Sequence, residues 1–191
     1  MYTSKIHFII VAGLLSVGST SNIKAEEEHS EFIEAFNADN TQQMIEVLKK
    51  YNSQTINKKS AYGETLLIIA AFIGNADIVR AAIKAGAEID AQDCDGYTAL
   101  MEAASLDNVE VIKALLDAGA NIDMQDSEGY TALMEAAQQG NSESVRTLIK
   151  AGANIEIHTK HSHTALMLAD LSCHAEVVQI LLDAGAHIDQ E

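Results

Sequence analysis

The sequence has no proline and no tryptophan, only two cysteines, and just 5% aromatic residues. Hydrophobic residues still make up 48% of its 191 positions, enough for a domain-sized core that must be aliphatic, and disorder throughout is excluded. Basic residues are scarce as well, with 12 Lys and Arg against 28 Asp and Glu and a formal charge of −16. So acidic a surface repels phosphate backbones and anionic lipid headgroups, which disfavours nucleic acid and the membrane surface and favours a basic protein partner. Also missing are a glycine-rich phosphate loop, a nucleophile elbow and a zinc-spaced cysteine set. No catalytic residue, no cofactor and no resident metal is expected.

One apolar run stands apart. Lys5 and His7 precede Phe8 to Val17, and small polar residues then lead to Ala25, which is the layout of a secretory signal peptide. The run is shorter than the roughly 20 apolar residues a membrane span needs. No cysteine follows it to accept a lipid. Residues 1–25 are therefore expected to be removed, leaving a mature protein from Glu26 that is periplasmic or secreted and not inserted in a membrane. Loss of Lys5 and Lys24 leaves 10 basic against 28 acidic residues, a net charge of −18. No Asn-x-Ser/Thr sequon occurs, in keeping with a bacterial source.

The rest of the chain repeats itself. Asp95 to Ala104 recurs almost unchanged at Glu128 to Ala137, an offset of 33 residues, and the same offset relates Thr65, Thr98, Thr131 and Thr164, and Gly86, Gly119, Gly152 and Gly185. A fixed period of this length means one structural unit stacked several times. Within a unit, Leu100, Ala103 and Ala104 mark one face of a short helix with Thr98 placed to cap it, and Ile112, Leu115 and Leu116 mark a second helix with Asn108 at its N-cap. Gly119 ends the second helix, and an extended piece leads to a turn at Glu128 and Gly129.

At these residues the sequence resembles the ankyrin repeat, matching its Gly-x-Thr start, its Ala-Ala pair, its Gly-Asn/His turn and its closing Gly-Ala. The family's Pro-Leu-His becomes Leu66-Leu67-Ile68, Ala99-Leu100-Met101, Ala132-Leu133-Met134 and Ala165-Leu166-Met167, so apolar packing must replace the histidine's hydrogen bond. The resemblance implies an all-α repeat solenoid of about five helix pairs joined by β-hairpin loops. Its expected units are an N-terminal capping repeat at 26–59, repeats at 60–92, 93–125 and 126–158, and a C-terminal capping repeat at 159–191. Terminal units must differ because each shows one face to water.

The family's usual concave face, made of loop tips and first helices, is carried over by register. It places a protein-binding surface at Tyr62, Phe72, Ile73, Asp95, Tyr97, Glu102, Leu106, Glu128, Tyr130, Glu135, Gln138, Gln139, His161, His163 and Leu171. Tyr97 and Tyr130 are expected to project as anchors, with Glu102 and Glu135 as solvated rim charges. The expected function is a monomeric, non-enzymatic binding protein that regulates or inhibits a periplasmic enzyme or toxin, or else acts on host proteins after secretion. A rival of another kind is metal or redox-stress chemistry at His158, His161, His163, His174 and His187, though these late histidines fall largely on loop surface. Cys94 at a loop tip and Cys173 at a helix–helix turn two units later are expected to be free thiols.

Overall fold

The computed structural model describes residues 31–187 apart from 33, 37 and 61, so the expected leader at 1–25 lies outside the described residues. The helices run in chain order as α1 Thr41–Leu48, α2 Ser53–Ile56, α3 Leu66–Ile73, α4 Ala76–Lys84, α5 Ala99–Ser105, α6 Val109–Asp117, α7 Ala132–Gln139, α8 Ser142–Lys150, α9 Ala165–Leu171 and α10 Ala175–Asp183. Four complete pairs follow α2. In the first unit α1 is preceded by helical residues at 31, 32 and 34–36, and α2 is a single turn without a counterpart in the later units.

Each first helix starts for the reason its sequence suggests. Thr65, Thr98, Thr131 and Thr164 hold extended backbone, and each hydroxyl accepts a hydrogen bond from the amide three residues on, at Ile68, Met101, Met134 and Met167. All four threonines are buried, so water cannot replace the cap. The second helices bury one stripe each, Ile78, Val79 and Ala82 in α4 and Val111, Ile112 and Leu115 in α6. Gly119 follows α6 with φ at +92°, a left-handed C′ residue closing the helix.

Units stack helix on helix. First helices α3, α5, α7 and α9 pack against their neighbours in sequence, as do second helices α4, α6, α8 and α10, and each pair also packs internally. Close approach of the first helices is possible because Ala70, Ala71, Ala103, Ala104, Ala136 and Ala137 are buried to 1% exposure or less. In the last unit the second alanine is replaced by Asp170, which is exposed, as a terminal face requires. Polar groups stitch the same boundaries: the Asn141 amide donates to the Ala104 and Ser105 carbonyls at 2.8 and 2.9 Å, and Asn108 donates to Ala71 at 3.2 Å. Asn108 therefore holds the N-cap position of α6 while its side chain serves the preceding unit.

The connecting loops were expected as β-hairpins, yet the described residues contain no β-strand. Each loop is a tight turn closed by two backbone bonds, as from Asp93 N–H to Tyr97 C=O at 3.0 Å with Gly96 N–H to Asp93 C=O at 3.2 Å, and from Asp126 N–H to Tyr130 C=O at 2.9 Å with Gly129 N–H to Asp126 C=O at 3.1 Å. Two further amides of each of these turns are consumed by its own aspartate. Asp93 Oδ1 accepts from the Asp95 and Tyr97 amides, and Asp126 Oδ1 accepts from Glu128 and Tyr130, leaving too few free groups for a ladder. Neighbouring loops are joined by single bonds, including Ser127 N–H to Asp95 C=O at 2.8 Å. The Gln92 amide bridges Gly96 and Gln125 carbonyls, and Gln125 bridges Gly129 and His158. These glutamines tie neighbouring loops together.

Candidate functional site

Loop tips and first helices carry the residues selected by register, and their exposure sorts them. Tyr62 is 45% exposed and Leu171 68%, two of the three large apolar side chains that stand out among the described residues, the third being Leu182 on α10. Asp95, Glu128, Gln139 and His161 are exposed as well, while Phe72, Ile73, Leu106, Gln138 and His163 are half-buried. Tyr97 and Tyr130 do not project freely as expected. Both pack half-buried against the core, because a phenol beside the turn glycine has the first helices to lie on.

Glu102 departs further from expectation. It is 2% exposed, and its Oε1 has no hydrogen-bond partner among the described residues, whereas sequence reasoning made it a solvated rim charge. Its position on α5 faces the neighbouring first helices, which sequence periodicity alone did not distinguish from solvent. Glu135, one unit on, is half-buried, so neither is a rim charge. Glu64, Asp93, Tyr97 and Glu102 line one small, partly open pocket with Ile68, Ile69 and Phe72, of about 30 Å³, room for one water-sized group.

The electrostatics follow from burial of like charges. Burial first, and then the neighbouring Glu135, Glu64 and Asp93 carboxylates, push Glu102 up to about 8. Burial likewise raises Glu135 to about 7 against an opposing hydrogen bond from the Tyr97 hydroxyl, with Asp126 adding to the rise. Glu64 and Asp93 are raised mainly by burial, opposed by the Ser60 hydroxyl and by the turn amides respectively. Tyr97 is held well above its ordinary value by burial and by the Glu135 and Glu102 carboxylates, and so stays protonated. An unpaired buried acceptor such as Glu102 Oε1 costs about 1–3 kcal/mol, a penalty the fold retains at this pocket.

The family model of ankyrin repeats (3 copies) matches residues 32–126 and again 107–191, which together span nearly all of the described chain. The chain belongs to the ankyrin-repeat family. No curated protein matches it in sequence. Ankyrin repeats are protein–protein interaction modules, a generally non-enzymatic family.

Elsewhere on the ankyrin array the late histidines stay apart. His161 lies 3.9 Å from Glu128, which Lys160 also approaches at 3.6 Å, and the His161 and His163 rings are 6.4 Å apart and tilted. Among the described residues no group of three His, Cys, Asp or Glu converges to hold a metal ion. Cys94 and Cys173 are free and exposed. No helix among the described residues is long and apolar enough to cross a membrane.

Proposed function

We propose that this ankyrin array is an exported, non-enzymatic binding protein that grips a basic protein partner through its loop-and-first-helix face, as regulator or inhibitor of a periplasmic enzyme or toxin. The observation that carries the reading is the exposure of Tyr62 and Leu171 on that face, amid the carboxylates of Asp95 and Glu128. Exposed aromatic and aliphatic anchors set among mainly acidic charges, with Lys160 beside Glu128 as the exception, suit a partner with complementary apolar and basic groups.

Charge distribution supports the same face. Arg80, Lys113 and Arg146 lie on the second helices, each paired within its helix to Asp77, Glu110 or Glu143, whereas α3, α5, α7 and α9 carry no basic residue. The leader-like residues 1–25 support export. Affinity capture from the exported fraction tests the reading, comparing the wild-type chain with a Tyr62→Ala, Leu171→Ala double variant. Recovery of one basic protein by the first and not the second is the expected result. Equal recovery by both would remove this face, and an uncleaved Met1 form confined to the cytoplasm would remove export.

A further inference from the structure

The pocket between α3, the Asp93 turn and α5 differs from the equivalent place one unit on. There the Tyr97 hydroxyl meets the Glu135 carboxylate. Here Glu64 holds the tyrosine's register position and Glu102 holds that of Glu135, so carboxylate faces carboxylate. One unit further the pair becomes Tyr130 and Leu168, with no carboxylate on the helix. Among these three junctions, the first alone brings a buried acid against another acid instead of a donor. Asp93 adds a third carboxyl group, and the buried Glu102 Oε1 is without a partner among the described residues.

We infer that this pocket takes the ammonium group of a lysine side chain presented by the partner, with Glu102, Glu64 and Asp93 as acceptors and Ile68, Ile69 and Phe72 against its methylenes. The inference rests on the proposed binding face and names the chemistry that enters it. An ammonium brings three donors and no acceptor, which answers a set of carboxylates that has acceptors to spare. It is a compact point charge close to a water molecule in size, matching a space of about 30 Å³, whereas a planar guanidinium needs a wider slot. Anions are repelled by the same carboxylates.

The groups that face Glu102 are Glu64 with α3, Asp93 and Tyr97 at the turn, and Glu135 on α7, and α3, α5 and α7 contribute no basic residue. Glu102 is accordingly held mainly protonated at neutral pH, and an arriving ammonium favours its ionised form. Binding then releases a proton, so affinity rises on the order of 25-fold from about pH 6.5 to about pH 8.5, below lysine's own titration.

The test titrates the purified full chain with capped Gly-Gly-Lys-Gly-Gly and with the same peptide carrying norleucine or arginine, read by shifts of the Ile69, Phe72 and Glu102 amide resonances. The lysine peptide is expected to bind most tightly, to weaken at least about tenfold in Glu102→Gln, and to be lost in Glu64→Tyr, which rebuilds the tyrosine–glutamate pair of the next unit. Thermal melts of both variants report folding, and both are expected to be at least as stable as wild type. Norleucine or arginine binding as well as lysine, unchanged binding by Glu102→Gln, or no shift with the lysine peptide would each overturn the assignment. Peptide failure with Tyr62- and Leu171-dependent capture intact would remove the pocket and leave the binding face standing.

Discussion

Glu64 stands to Glu102 as Tyr97 stands to Glu135, and that exchange of a phenol for a carboxylate turns a satisfied contact between units into a pocket lined with acid. A fold built from near-identical units makes such a change visible, because the neighbouring junction is an internal control.

Stability should fall as pH rises. Glu102 has a folded value near 8 against an ordinary value of 4.5, so between those values the native chain holds a proton that the unfolded chain has released. Its contribution is fully present below the unfolded value and lost as pH passes through the folded one, on the order of 3–5 kcal/mol over the window. Denaturant midpoints should therefore drop between about pH 5 and about pH 8, and Glu102→Gln should flatten that slope and raise the midpoint at the upper end. An unchanged slope in the variant would mean that other carboxylates set it.

Backbone strain predicts four further midpoints. Ser162 and Cys173 hold φ at 62° and 61°, where the corresponding residues of the preceding unit are Gly129 and Gly140. Ser162→Gly and Cys173→Gly should each stabilise by about 1 kcal/mol, the relief of a left-handed Cβ less the entropy glycine adds to the unfolded chain. Gly96→Ala should cost more than Gly119→Ala, since a Cβ at Gly96 would lie 2.8 Å from the Ser127 nitrogen whereas nothing lies within 4 Å at Gly119. Urea unfolding of the four variants ranks them directly.

Asn141→Ala should destabilise by about 1–3 kcal/mol because it strips the Ala104 and Ser105 carbonyls of their side-chain donor at a unit boundary. Asn108→Ala should cost less, since that amide makes one longer bond. Chemical denaturation of both variants at a single pH checks the order.

For binding, Tyr62→Ala with Leu171→Ala should weaken partner affinity by about 2 kcal/mol or more while leaving the thermal midpoint nearly unchanged, because both side chains are exposed. Tyr97→Ala should behave oppositely, lowering the midpoint by removing a side chain packed on the core and hydrogen-bonded with Ser105 and Glu135. Affinity and melting curves measured on the same samples separate the two classes.

Much of the fold was legible in the sequence because stacked units repeat their local rules. The threonine caps, the alanine face and the glycine helix ends each depend on a few consecutive residues, and their recurrence at one spacing identifies them. The loops were misread as β-hairpins because Asp93 and Asp126 draw the turn amides onto their own carboxylates, a competition that turn-forming residues alone do not reveal. Register selected the loop-tip and first-helix residues, but it gave Glu102, Tyr97 and Tyr130 more exposure than they have.

What the sequence determined alone is the unit and its repetition, since caps, helix faces and chain reversals are local and a period of 33 copies them down the chain. Which carboxylate is buried, and what it faces, was decided by tertiary structure. Residues 64 and 102 belong to different units and meet only when those units stack, so the absence of a donor opposite Glu102 is a property of the junction and of neither unit by itself.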